Sequence, residues 1–188
     1  MHQVIFSMGM TLDGFIVGPD GGFDWAVPTV EAHQFSNDEV RGLHAHLLGR
    51  RLYETMLFWE DPELDTSDEP VMAEFAELWN PLPKVVFSRT LSEVSGRGAR
   101  LANGTLAEEI ARLQAEPGDG DIAIGGATLA AEAAALGLID EYHIMVHPVL
   151  VGGGIPFFAH HGSLTELELI ETRTFGSRVV YLAYRVVR

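Results

Sequence analysis

Apolar residues fall into two kinds of run along this chain, and their alternation sets the expected architecture. Short blocks rich in strand formers recur at Val4 to Met8, Phe15 to Val17, Leu47-Leu48 closing at Gly49, Lys84 to Phe87, Arg100 to Ala102, Ile122 to Ile124 and Glu141 to Val149. Stretches with helical spacing lie between them: Val30 to Leu43, the segment RRLYETMLFW from Arg50, VMAEFAELWNPLP, TLAEEIARLQAE and an alanine-rich run from Ala127. Asn80-Pro81 stops the third of these, because proline cannot continue the hydrogen-bond ladder. Thr105 and Glu108 stand at capping-box spacing at the start of the fourth. The tail holds two alternating runs joined around Phe175-Gly176-Ser177, which predicts an antiparallel hairpin. Strands alternating with helices and closing on a hairpin predict one α/β domain over residues 1–188, with a mixed, mostly parallel sheet and helices on both faces.

One junction raises a chemical question. The strand Ile122 to Ile124 stops on Gly125-Gly126 and passes straight into a helix that begins Ala127, Thr128, Leu129. The first N–H groups of a helix lack partners, and its dipole places about half a positive charge there. An anion fits that end if residues without a Cβ let it approach; the alternative is a plain tight turn. The run has neither the third spaced glycine of a Rossmann fingerprint nor the Gly-Lys-Ser/Thr of a P-loop. A second junction, Gly49-Arg50-Arg51, puts two cations in the first turn of a helix, which is unfavourable unless something anionic lies nearby. A third strand ends on Ser88-Arg89. Three such ends can line one crevice, the usual ligand position in open α/β sheets. The competing reading is scattered surface arginines paired with carboxylates.

Composition narrows the classes. A formal charge of −15 argues against nucleic acid as a partner, since that binding rests on neutralising phosphates. With no cysteines, neither a disulfide framework, a thiolate metal site nor a deaminase-type zinc motif can form. The histidine pairs His44/His46 and His160-His161 lack a third ligand at metal spacing, so no metal site is expected. No signal-peptide pattern opens the chain and no apolar run approaches the roughly 20 residues of a membrane span, so a cytoplasmic protein without membrane contact is expected.

LLGRRLYETM, PLPKVVFSRT and IAIGGATLAAEAAALGLIDEYHIMVHPVLVGGGIPFF together resemble the dihydrofolate reductase superfamily, and most closely the reductase domain of the bifunctional riboflavin-biosynthesis deaminase/reductase. The resemblance implies an NADPH-dependent reductase acting on a small heterocycle, of the 5-amino-6-(5-phosphoribosylamino)uracil or pterin kind. It further implies that Gly49, Arg50, Arg51, Ser88 and Arg89 hold the pyrophosphate and 2′-phosphate, that Gly125, Gly126, Ala127, Thr128 and Leu129 lie beside the cofactor, and that subunits pair as a homodimer. Folate reduction proper and a nucleotide-binding module without turnover are the alternatives.

On the substrate side, SMGMTLDGFIVGPDGGFDW resembles the first strand and nicotinamide loop of that family. Asp13 is a candidate acid there, although Asp13-Gly14 is also ordinary turn chemistry. The position that carries the proton-donating carboxylate of dihydrofolate reductase is Val30 here, with Glu31 next to it, about 100° away around a helix. Phe23, Trp25 and Trp59 are candidates to wall a flat substrate, with core packing the alternative.

Overall fold

The computed structural model describes residues 2–61, 64, 66, 68–158 and 164–188. Its strands are β1 (Val4–Thr11), β2 (Phe15–Val17), β3 (Leu43–Gly49), β4 (Lys84–Phe87), β5 (Ala99–Leu101), β6 (Asp121–Gly125), β7 (Glu141–His147), β8 (Ile155–Pro156), β9 (Leu167–Thr174) and β10 (Val180–Val186). Eight of them form one sheet in the order β5-β4-β3-β6-β1-β7-β10-β9, and β2 pairs with β8 apart from it. Pairing is parallel from β5 through to β7. It turns antiparallel at β10 and β9, the hairpin that the tail predicts.

Parallel neighbours require crossovers, which the helices supply. These are α1 (Val30–Arg41), α2 (Arg50–Met56), α3 (Pro70–Trp79), α4 (Leu106–Ala115) and α5 (Ala127–Ala135). On one face, Leu106, Ile110 and Leu113 of α4 and Leu129, Ala130 and Ala133 of α5 pack over Val4, Phe6, Leu47, Ile122 and Ile124. On the other, Tyr53, Phe75 and Trp79 from α2 and α3 cover Leu48 and Val86, while Ala32 and Phe35 of α1 cover Tyr181 and Ala183. Residues that alternate along each strand therefore feed separate clusters on opposite faces.

Several boundaries move for local reasons. α1 stops at Arg41 and not at Leu43, because Gly42 ends it and Leu43 already belongs to β3. β7 ends at His147, one residue before Pro148, which has no N–H for a ladder. β1 runs on to Thr11, held by its register with β7 from Ile5/Glu141 to Thr11/His147. Thr105 and Glu108 do close a capping box on α4.

This topology brings the carboxyl ends of β1, β3, β4, β6 and β7 to one edge of the sheet. The turn between β9 and β10 comes back to the same edge, since β10 is antiparallel to β7.

Candidate functional site

Along that edge, β4, β3 and β6 are consecutive neighbours, so the three glycine and arginine junctions stand side by side. Leu48 pairs with Gly125 and Gly49 with Phe87, which places Gly49, Ser88 and Gly126 within one row of strand ends.

The two adjacent glycines have different reasons to exist. A Cβ on Gly125 would lie 2.3 Å from Leu52 Cδ2 and 2.8 Å from His46 Cε1, so this glycine is required by packing between β6, β3 and α2. The same glycine stands at the strand end beside which the resemblance implies a cofactor. Gly126 is the opposite case. Its φ is +99°, and a Cβ there would find only Gly49 N and Cα, at 3.9 and 4.0 Å. It is the N-cap of α5, with no side-chain cap and no acidic residue in the first turn. The first amides of α5, from Ala127, Thr128 and Leu129, thus face a bare, uncapped end, the donor arrangement that suits a phosphate.

The arginines also divide. Arg50 donates to Glu54 Oε1 at 2.7 Å and to Thr90 Oγ1 at 2.6 Å, so its charge is already met and it ties α2 to the loop after β4. That contact offsets the charge of one of the two cations at the start of α2. Arg51 is exposed, as is Arg89, and neither makes an ion pair among the described residues. Ser88 Oγ accepts from the Thr90 and Leu91 amides at 3.2 and 3.0 Å, shaping the loop that presents Arg89.

The other half of the edge, at β1 and β7, is built differently. Asp13 accepts from Thr11 Oγ1 at 2.6 Å, from the Val151 amide at 3.1 Å and from the Gly152 amide at 2.8 Å. The Thr11 hydroxyl, followed by these amides, holds its carboxyl below the usual range. An ionised carboxylate with its oxygens so engaged fastens two loops together and does not donate a proton near neutral pH. Glu31 accepts from the Gly176 amide at 3.0 Å and pairs with Arg173 at 3.5 Å, so it braces the hairpin turn. Both candidate acids therefore hold loops together in this structure. Gly154 has a related function: a Cβ there would sit 1.9 Å from Val17 O, so only glycine lets these loops touch.

Trp25 packs edge-on against His147 with ring centroids 5.1 Å apart. His147 was not singled out by the sequence; it is buried at the end of β7, and a Cβ on Gly9 would lie 3.2 Å from its Nε2. Desolvation lowers the His147 pKa, against a raising bond with the Trp25 backbone. Trp25 Nε1 is buried without a hydrogen-bond partner among the described residues. Phe23 is exposed at the start of the short turn Asp24–Ala26. Trp59 lies elsewhere, packed with His33 and Phe75.

The remaining histidine expectations resolve individually. His44 bonds Glu116 Oε2 at 3.0 Å and stacks on His2, and burial drives His46 down to about 4 beside Trp79. His160-His161 lie outside the described residues. A groove of about 640 Å³ opens at the opposite edge, lined by Ala134, Ile139, Tyr142 and Val186, and shares no residue with this site.

A three-layer fold of this order, with its strand ends lined this way, is of the dihydrofolate reductase type. The chain belongs to the family of the RibD C-terminal domain, whose model matches residues 2–181. It is 32% identical over 183 residues to the uncharacterized protein YyaP of Bacillus subtilis (strain 168), covering 97% of this chain and 94% of that one. A putative riboflavin biosynthesis protein from Shewanella sp. PV-4 superposes over the whole of both chains with TM-score 0.76 at 25% identity. Dihydrofolate reductase from Enterococcus faecalis, in complex with NADP(H), has TM-score 0.65 at 16% identity, covering 99% of this chain and 97% of its own.

Proposed function

We propose that this chain is an NADPH-dependent reductase that passes a hydride to a small flat heterocycle of the pyrimidine or pteridine kind. The observation that carries the reading is the neighbouring, at one row of strand ends, of the open, uncapped start of α5 at Gly126 and the junctions bearing Arg51 and Arg89, which make no ion pair among the described residues. Donor amides and planar cations suit a pyrophosphate and a phosphomonoester respectively. When bound, NADPH supplies the hydride, and the chain's own work is to hold, orient and keep water away. Gly126 and Gly49 leave the backbone bare where the dinucleotide would lie. Trp25, His147 and Gly9 wall the neighbouring strand ends. With Asp13 and Glu31 engaged in loop contacts, any proton that accompanies the hydride comes from solvent.

The reading extends to a homodimer in the cytoplasm. Its support is β9, which ends the sheet exposed along its whole length and carries Leu167, Leu169 and Ile170, an edge that proteins normally cover. Light scattering at micromolar concentration checks this, and a monomer removes it.

Calorimetry with NADPH and NADH tests the cofactor. Arg89→Ala and Arg51→Ala should each weaken NADPH about tenfold while leaving NADH unchanged. Wild-type NADPH affinity in both variants refutes the phosphate assignment. Absorbance at the reduced-nicotinamide band, with a panel of pterins and aminopyrimidines, separates an enzyme from a binding module that lacks turnover.

A further inference from the structure

The loop between β4 and β5, residues 88–98, carries Arg89 and has no helix or strand of its own. A segment of that length samples many conformations unless something fixes it, and a cation on it would then meet an anion at an entropic cost. Here the loop is fixed by α2 and its surroundings. Leu91 and Val94 pack on the cluster that contains Tyr53, Trp79 and Val86. The Tyr53 hydroxyl accepts from the Ser95 amide at 2.8 Å and donates to the Ser95 carbonyl at 3.0 Å, so one side chain engages both backbone groups of a single loop residue. Beyond Ser95, the Arg97 amide donates to Glu60 Oε2 at 2.7 Å, and Lys84 Nζ donates to the Arg97 carbonyl at 2.9 Å.

These tethers differ in strength. Arg50 reaches Thr90, next to Arg89, but its guanidinium is half-exposed, and such a bond is readily traded for water. Tyr53 is only 5% exposed. Opening its bonds would leave a buried hydroxyl without a partner, which costs more than losing a surface contact. Tyr53 also stands on the helix that bears Arg51, so the element carrying one of the two cations is bonded directly to the loop carrying the other.

Resting on the reductase reading above, we infer that Tyr53 is a positioning residue for the cofactor: its hydroxyl, bonded to both backbone groups of Ser95, ties the β4–β5 loop to α2 so that Arg51 and Arg89 meet the 2′-phosphate as one preformed clamp. Tyr53 acts through the loop, and its effect on binding is confined to the phosphate that NADPH has and NADH lacks. A tyrosine that only supported the fold would affect both dinucleotides or neither.

Calorimetry with NADPH and NADH on the full chain reads this difference. Tyr53→Phe keeps the ring in its cluster and removes the hydroxyl. It is expected to weaken NADPH about three- to tenfold and to shift NADH by less than about twofold. In an Arg89→Ala background the same change should weaken NADPH by less than about twofold, because the loop then has no cation to present. Hydrogen exchange on the unliganded wild-type chain gives a reading that survives even if Tyr53→Phe does not fold: the Ser95 amide should exchange far more slowly than in an open chain, and NADPH should add little protection. An unchanged NADPH-to-NADH ratio in Tyr53→Phe, an undiminished effect of Tyr53→Phe in the Arg89→Ala background, or a Ser95 amide protected only once NADPH is bound overturns the inference. The two readings fail separately. Wild-type chain that binds NADPH, weakened by Arg89→Ala but not by Tyr53→Phe, refutes the clamp alone, whereas wild-type chain that binds no NADPH removes the reductase reading and the clamp with it.

Discussion

Replacing Gly125 and Gly126 separately by alanine tests whether the two neighbours do different work. At Gly125 the new methyl would meet Leu52 Cδ2 at 2.3 Å and His46 Cε1 at 2.8 Å. Leu52 ends in a flexible branch that can rotate, but His46 is wedged against Trp79 with ring centroids 5.3 Å apart. Overpacking of this kind costs about 1–3 kcal/mol. For a chain of this size each kcal/mol lowers Tm by about 2–4 °C, so Gly125→Ala should melt roughly 2–12 °C early. Shortening the obstructing side chain provides the control: Gly125→Ala combined with Leu52→Ala should be more stable than the two separate losses add up to. At Gly126 nothing lies closer than 3.9 Å, but φ of +99° strains any side chain by about 1–3 kcal/mol. Leu52→Ala should give no relief there. Function separates the two sites further. Gly126→Ala should weaken NADPH about tenfold, while the Gly125→Ala, Leu52→Ala pair should bind near the wild-type level. Urea unfolding followed by tryptophan fluorescence gives the stabilities and calorimetry the affinities. Wild-type NADPH binding by Gly126→Ala refutes the open-end argument, and failure of Leu52→Ala to rescue Gly125→Ala refutes the packing one.

Glu109 is fully buried, bonded to Arg100 at 3.1 and 2.7 Å, to Arg112 at 2.8 Å and to the Asn103 amide at 2.7 Å. Glu109→Gln should cost about 1–3 kcal/mol in urea unfolding, because it weakens charge-assisted hydrogen bonds to two half-exposed arginines. These partners, Arg100 foremost and against the cost of burial, hold Glu109 at about 2, below its usual 4.5. The stability it contributes is therefore complete above about 4.5 and lost as pH falls towards 2, a slope that Glu109→Gln should flatten. His143 behaves with the opposite sign. Burial disfavours its charge, but Glu39 at 2.9 Å and Glu141 at 3.1 Å face its two ring nitrogens and raise its pKa above 6.5; Tyr181 and Arg185 are the other groups in contact with this cluster. Its contribution is full below 6.5 and fades as pH rises through the raised folded value, so unfolding midpoints should decline across that range and His143→Phe should remove the decline. Asp13→Asn should lower the urea midpoint through weakened loop bonds while the pH dependence of kcat keeps its shape. Loss of the alkaline limb of that profile, where a required acid deprotonates, would restore Asp13 as the proton donor.

Much of the fold was legible because its signals are local and agree with one another. β-forming blocks separated by helical spacing, Pro81 behind one helix and the Thr105/Glu108 box before another each determine an element without reference to the rest of the chain. Boundaries that depend on partners were not legible in this way. The strand reading stopped at Met8, yet β1 extends through Gly9 and Thr11 because β7 supplies a ladder on that side, and such registers are set in space and not by propensity. Leu43 has helical spacing with α1 but pairs with Asp121, so tertiary pairing overrode periodicity.

The candidate site was legible in proportion to how far charge and backbone freedom alone determine it. Gly126, Arg51 and Arg89 could be proposed because an uncapped helix start and cations on an acidic chain are anomalies that a sequence displays directly. Gly125 could not be distinguished from Gly126, since what excludes its Cβ is Leu52 and His46, from two other elements. Asp13 and Glu31 left two roles open for the same reason. A carboxylate is equally suited to donate a proton or to accept amides, and only the loop at Val151-Gly152 and the turn at Gly176 decide between them. His147 gave no signal, being one histidine among eight, and it acquires meaning from Gly9 and Trp25 packed against it.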